Sequence, residues 1–307
     1  MIVPVRDGAE DLRALLDCLD RQTIARSEFE VVVGDDGSTD GGASGVAEED
    51  GHVVVTAGPP RNAYAARNRA IAVSRAPVLA FCDADCRPEP EWLERGLAAL
   101  CSADVVAGRI RFDIPADPGV WSLLDAESTK NHARQVEIGN AETANLFVGR
   151  ELAERVGLFD ERQPGYGDFA FVLSCVEVGA TLVFADDATV SHPVRRHARP
   201  FLRNVWSMNS SYAAHEARAG RLPEGLRLRE WVPVVQTLRS RRRFGLPFGL
   251  DRRWLEQSGY RPTLTDNLRA LPLTYLFIPY LRGVAQIAGW RQGRRERSAA
   301  AREERAR

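Results

Sequence analysis

Residues 78–94 read VLAFCDADCRPEPEWLE. Val78-Leu79-Ala80-Phe81-Cys82 is an unbroken apolar run with the length of a strand buried on both faces. It ends in two carboxylates, Asp83 and Asp85, and side-chain alternation predicts both on one side of an extended backbone. Pro88 and Pro90 break the chain, and Trp92, Leu93, Leu97 and Leu100 then mark one face of a helix. Acids at the carboxyl end of a core strand lie where open α/β sheets bind ligands. Paired oxygens there suit a hard divalent cation, and such a cation commonly holds phosphates. The plainer reading makes the two acids caps for the next helix, and an Asp-x-Asp triplet alone does not choose between the two.

Outward from this stretch, Ile2-Val3-Pro4-Val5 reads as a short strand, followed by a helix with Leu12, Leu15, Leu16 and Leu19 on one face. Glu30-Val31-Val32-Val33-Gly34 is a second buried strand and runs into Asp35-Asp36-Gly37-Ser38-Thr39-Asp40. Gly58-Pro59-Pro60-Arg61-Asn62 leads into a helix carrying Ala66-Arg67-Asn68-Arg69-Ala70. Val105-Val106-Ala107-Gly108 and Thr181-Leu182-Val183-Phe184 read as further strands. Strands alternating with helices up to about residue 200 predict an α/β fold, its sheet mostly parallel and covered on both faces. Beyond Pro200 the texture changes to arginine-rich helical stretches punctuated by Pro223, Pro233, Pro247, Pro262, Pro272 and Pro279. The expected organisation is one domain over 1–200 and a helical extension over 201–307, whose polar end from Ser298 to Arg307 reads as frayed.

Composition narrows the function classes. A net charge of −1 argues against a nucleic-acid binder, which normally carries a strong basic excess. Lys130 is the only lysine, and the dominance of arginine reads as codon bias, not as a functional signal. The 5 cysteines (Cys18, Cys82, Cys86, Cys101, Cys175) lack the paired spacing of a zinc site and are expected to be reduced thiols. The apolar run at Ile2 has no basic leader before it, so the expected location is cytoplasmic. Residues 270–290 read ALPLTYLFIPYLRGVAQIAGW, too short and too interrupted for a spanning helix. The segment reads first as ordinary core with a solvated basic end. The second reading is peripheral contact of 270–297 with the inner face of a membrane, through Arg291, Arg294, Arg295 and Arg297.

Val3-Pro4-Val5, Asp35-Asp36-Gly37-Ser38, Ala66-Arg67-Asn68 and Asp83-Ala84-Asp85, in this order and spacing, resemble the family 2 glycosyltransferases over about residues 1–200. The resemblance implies the GT-A fold, a Rossmann-like nucleotide-sugar-binding sheet flanked by helices. It implies an inverting, metal-dependent transfer of sugar from a nucleoside-diphosphate donor, most often UDP-linked, with Mn²⁺ or Mg²⁺. Saccharides, lipid-linked sugars and small molecules all remain open as acceptors. By the same resemblance Pro4, Asp36, Arg67 and Asp83 belong to the donor nucleotide, Asn145 to the donor sugar, and Asp85 and His192 to the metal. An imidazole beside carboxylates would favour Mn²⁺ over Mg²⁺.

Asp168, in Gly165-Tyr166-Gly167-Asp168-Phe169-Ala170, occupies the family's place for the general base that takes the acceptor proton. Its alternative role is N-cap of the helix that closes at Gly179. Gly167 and Ala170 replace acids common in the family, and the Gln/Arg-x-x-Arg-Trp signature of processive synthases is absent, which points to a non-processive enzyme. A GT-A domain that binds nucleotide or a partner without catalysis is the second reading. A sugar-phosphate nucleotidyltransferase is the third, disfavoured because Val5-Arg6-Asp7-Gly8 supplies no glycine-rich phosphate loop.

Overall fold

Apolar runs build the strands of the sheet because β-branched side chains suit strands covered on both faces. The strands are β1 (Ile2–Val5), β2 (Val31–Asp35), β3 (Val53–Ala57), β4 (Val78–Cys82), β5 (Arg87–Pro88), β6 (Val105–Asp113), β7 (Asn145–Gly149) and β8 (Leu182–Pro193). The structure is a computed structural model that describes residues 1–41, 45–46, 53–128, 130–223 and 250–306. Pro233 and Pro247 lie outside the described residues.

The sheet order is β3-β2-β1-β4-β7-β6-β8-β5. Pairs β1–β2, β2–β3, β1–β4 and β6–β8 are parallel, while β7 runs antiparallel between β4 and β6. Period-two alternation divides the side chains between two cores. Val31, Val33, Ala80 and Cys82 join Leu12, Leu15 and Trp92 in one, whereas Val32, Leu79 and Phe81 join Tyr64, Ile71 and Phe171 in the other. The first is covered by α1 (Ala9–Leu19) and α3 (Trp92–Leu100), the second by α2 (Ala63–Val73) and α7 (Gly167–Glu177). A side chain at Gly34 would collide with the backbone of Ala66, so α2 lies directly on β2.

Two features differ from the expected pattern. β8 runs through His192, well beyond the apolar stretch ending at Phe184. Its register against β6 shifts between Gly108 and Arg109, where three residues, Asp186 to Ala188, are accommodated without partners in β6. Such a bulge breaks the alternation that would have revealed the strand. The chain also packs as two units, residues 1–113 with 130–193 and residues 114–129 with 194–307. The first also holds α5 (His132–Val136) and α6 (Arg150–Arg155).

The second unit contains α4 (Val120–Ser128), α8 (Ala198–Arg218), α9 (Arg252–Gln257), α10 (Leu264–Pro272) and α11 (Ile278–Ala306), with a π turn at Leu273–Phe277. Gln286 bonds Asn209 at 3.3 Å and Arg218 bonds Glu296 at 2.8 Å, so α8 and α11 run parallel. α11 continues to Ala306, through the polar end expected to fray, because Ala, Arg and Glu are strong helix formers.

Candidate active site

The site is built where β4 ends. Cys86 N–H donates to the Asp83 carbonyl at 3.0 Å, which closes a turn directly after the strand. The turn replaces the expected extended backbone, and Asp83 and Asp85 take different nearest partners.

Asp83 faces two cations. Arg67 Nη2 donates to its Oδ1 at 2.7 Å and Lys130 Nζ to its Oδ2 at 3.1 Å. Burial alone would raise the Asp83 pKa, but Lys130, Arg67 and His192 outweigh it and hold the carboxyl well below the usual range. Arg67 is buried on α2 above the rings of Tyr64 and Phe159, at 5.7 and 5.9 Å. Its guanidinium is engaged with Asp83, where the sequence suggested a fork onto phosphate or base.

Lys130 is the residue that sequence reasoning passed over. It is 5% exposed, its backbone is left-handed at φ 55°, and its N–H donates to Glu142 Oε1 at 3.0 Å. Its ammonium is 3.9 Å from Glu142 Oε2. Burial would lower its pKa, yet Asp83 and Glu142 push it above the ordinary lysine value. Glu142 also accepts from Gln135 at 2.9 Å, and its backbone N–H donates to His132 Nε2 at 2.9 Å. Burial lowers the His132 pKa to about 4, so that ring is neutral at physiological pH. The available signal was the singularity of Lys130 itself, one lysine in a chain that otherwise uses arginine.

Asp85 has His192 as its nearest partner. Its Oδ1 lies 3.5 Å from His192 Nε2, and Asp85, His192 and Cys86 bring one potential ligand atom each within 4.8 Å of one another. His192 Nδ1 lies 2.7 Å from the Pro193 carbonyl, which only accepts, so Nδ1 carries the proton. Nε2, the nitrogen left for a metal, faces the Asp85 carboxylate. This donor set, one hard oxygen and one imidazole nitrogen with its tautomer fixed by a backbone carbonyl, fits a divalent cation. Cys86 adds little to it: burial first, then a hydrogen bond with Cys82, raises its thiol well above the ordinary value, so it stays protonated.

Asp168 starts α7. Tyr166, at φ 62°, is the N-cap of that helix, so Asp168 lies inside the first turn and not at the N-cap position. Tyr64 Oη donates to Asp168 Oδ1 at 3.2 Å, and Phe169 N–H donates to the same oxygen at 3.1 Å. Burial first, then the charge of Glu142, raises the Asp168 pKa to about 6. A Cβ on Gly167 would stand 2.6 Å from the Tyr64 ring, so that ring takes the room a side chain at 167 would need.

The remaining predicted residues make contacts within the fold. Asp36 is buried; its Oδ1 accepts from Arg61 N–H at 2.9 Å and lies 3.6 Å from Arg69 Nη2. Arg69 also donates to the Asp35 carbonyl at 2.9 Å, and Asp35 closes its turn on Ser38. Asn68 reaches across the fold to Phe159 through both amide groups. Asn145 has no exposed surface: its Oδ1 accepts from Trp92 Nε1 at 2.8 Å, and its Nδ2 donates to the carbonyls of Arg109 and Ala188. That is the geometry of a structural amide. Pro4 is buried in β1 opposite Gly34. Odd-numbered carbonyls of β1 bond to β2, so Pro4 would turn its missing N–H toward β4. The β1–β4 ladder accordingly contains only Ile2–Phe81.

Residues 1–157 match the family model described as Glycosyl transferase family 2. The chain is similar to glycosyltransferase AglE of Haloferax volcanii, 32% identical over 209 residues, covering 66% of this chain and 67% of that one. It is similar in structure to a mannosyltransferase of Pyrobaculum calidifontis in complex with GDP-Man and Mn²⁺, with TM-score 0.59, 18% identity and coverage of 95% and 85%. It is also similar to S. aureus TarS 1–349 in complex with UDP-GlcNAc, with TM-score 0.52, 17% identity and coverage of 97% and 91%. These neighbours share the GT-A fold.

Proposed function

This chain belongs to glycosyl transferase family 2, and we propose that it is an inverting, metal-dependent, non-processive enzyme. It moves a sugar from a UDP-linked donor to an acceptor hydroxyl. A nucleoside-diphosphate donor is supported by neighbours that bind UDP-GlcNAc and GDP-Man. Uridine is the finer choice, made on the family resemblance at Asp36. Asp85 and His192 would hold Mn²⁺ or Mg²⁺, and the cation would offset charge on the departing diphosphate.

The observation that carries the reading is the divergence of two nearby carboxyls. Asp83 is held ionised by Lys130 and Arg67, whereas Asp168 is lifted to about 6. Environments that push carboxyl pKa values apart mark acid–base assignments. Asp168 is ionised at neutral pH and basic enough to take a proton. The acceptor O–H proton passes to its carboxylate as the acceptor oxygen bonds the anomeric carbon. The bond from that carbon to the diphosphate oxygen breaks, and the nucleoside diphosphate leaves with the electron pair. One displacement inverts the configuration. Tyr64 keeps the carboxylate oriented, Lys130 and Arg67 keep Asp83 in place, and Asn145 holds β7 to β6 and β8.

We place the enzyme in the cytoplasm with peripheral membrane contact through residues 270–297. Nucleotide release from UDP-, GDP- and dTDP-sugars, with Mn²⁺, Mg²⁺ or chelator, tests the catalytic reading. Release from UDP-sugars that chelator abolishes is expected. Equal release in chelator removes the metal from the reading, and a preference for GDP- or dTDP-sugars removes uridine.

A further inference from the structure

We infer that α10, the π turn and the start of α11 form a face that lies on an anionic phospholipid bilayer. The inference rests on the peripheral-contact reading above and is independent of the catalytic one. Leu264, Leu268, Pro272, Leu276, Tyr280 and Val284 follow one another at intervals of four, and all are exposed. Leu264 is 77% exposed, Leu276 62% and Tyr280 65%, with Phe277 beside them. Unaided, a four-residue ladder on an α-helix drifts by about 40° per step. The π turn at Leu273–Phe277 closes with a wider loop and turns the ladder back, so the apolar side chains stay on one side.

The opposite side is already used. Tyr275, Ile278 and Ala285 are buried, and any side chain at Gly289 or Gly293 would strike the α8 backbone at Ser210 or Ala214. The exposed ladder is therefore an additional apolar face of a helix whose core-facing side is satisfied.

Charge selects the occupant. From Asn267 to Arg295 the chain has arginines at 269, 282, 291, 294 and 295 and no acidic residue. The one acid within the ladder, Asp266, is buried, and Glu296 pairs with Arg218, so the balance of charge beside the ladder is complementary to anionic headgroups, with Leu, Phe and Tyr entering the acyl boundary. Among the described residues no helix is long and apolar enough to cross a membrane, so the face lies on the surface.

Sedimentation of the full chain with vesicles tests this. Vesicles of phosphatidylcholine containing about one third phosphatidylglycerol should carry the protein down, and pure phosphatidylcholine should not. Leu276→Ser with Tyr280→Ser, and separately Arg291→Glu with Arg295→Glu, should each weaken partitioning by at least ~10-fold. Both exchanges are at exposed positions, and an unchanged melting transition checks that they fold; if the serine pair fails to melt cooperatively, the charge pair decides alone. UDP release by the same preparations should be unchanged, which separates this outcome from that of the catalytic reading. The inference is overturned if anionic vesicles leave the parent in solution, if the folded variants sediment as the parent does, or if the parent is a dimer that the serine pair splits. The last result would assign the face to a second copy of the chain.

Discussion

The phenol of Tyr64 donates to Asp168 Oδ1 over 3.2 Å while its ring fills the space over Gly167. One side chain thus orients the proposed base and dictates the residue before it. Where the family commonly carries an acid at this preceding position, this chain has room only for glycine.

Tyr64→Phe removes a hydrogen bond to the charged form of Asp168, and loss of such a bond raises an acid's pKa. The acid limb of kcat/KM against pH should move upward by about 0.5–1 unit, with the fold intact. Gly167→Ala should cost about 1–3 kcal/mol through overpacking on the ring. Adding Tyr64→Ala should return part of that loss, and a double-mutant cycle in denaturant reads the coupling. Strict additivity would show that the ring does not dictate glycine at 167.

Lys130→Met should leave Asp83 with Arg67 alone. Removing one partner of a buried pair is costly, and the remaining arginine limits the loss to about 1–3 kcal/mol. The pH dependence carries a definite sign. Asp83 has a depressed pKa in the fold, so the stability it confers is present above the ordinary carboxylate pKa and is lost as pH falls below it. Parent and variant should differ in Tm at pH 7 and converge as pH drops below about 4. A constant difference across that range would mean that Lys130 acts by packing.

Much of the fold was legible because burial imposes simple periods. The buried strand through Val31–Val33 and the Leu12, Leu15, Leu16, Leu19 face emerge as read. The strand end at Asp83 was equally visible, since an apolar run stopping at acids has few other meanings. The different partners of Asp83 and Asp85 were not, because they depend on a turn closed by Cys86. His192 was found by family position while its strand was hidden by the bulge in β8. Lys130 and Glu142 reach the site from the segment ahead of β7, and only the sheet order brings that segment beside β4. Tyr64 carried no signal in the sequence, and its hydroxyl acquires a role only through its bond to Asp168.

Asp168→Asn makes two opposed predictions. The folded pKa of Asp168, about 6, lies above its ordinary value, so ionisation of this buried group costs stability as pH rises from about 4 to 6. The amide escapes that cost while still accepting from Tyr64. The variant should therefore be more stable than the parent at pH 7, by about 1–3 kcal/mol, and similar to it below about pH 4. Transfer should fall by ~10²-fold or more with donor binding little changed. In the parent, kcat/KM should rise with pH through an apparent pKa near 6, and the product anomer should be opposite to the donor's. Near-parental transfer would move the base to another acid, with Glu142 next in line, and retained configuration would exclude a single displacement.

Asp85 and His192 supply the remaining test, because each makes a different demand on the cation. Asp85→Asn removes a charged oxygen and should weaken UDP binding in Mn²⁺ by at least ~10-fold while leaving binding in chelator unchanged. His192→Gln exchanges a nitrogen donor for an oxygen donor. It should lower affinity in Mn²⁺ more than in Mg²⁺, since imidazole favours the transition ion. Cys86→Ser should alter neither, because a thiol kept protonated by burial is a poor ligand for either metal. Calorimetric titration of UDP into each variant, in each metal and in chelator, separates the three. Parental affinity of Asp85→Asn in Mn²⁺ would remove the carboxylate from the metal. An unaltered Mn²⁺ to Mg²⁺ ratio in His192→Gln would return the histidine to a packing role beside Phe112, whose ring it meets edge-on at 5.9 Å.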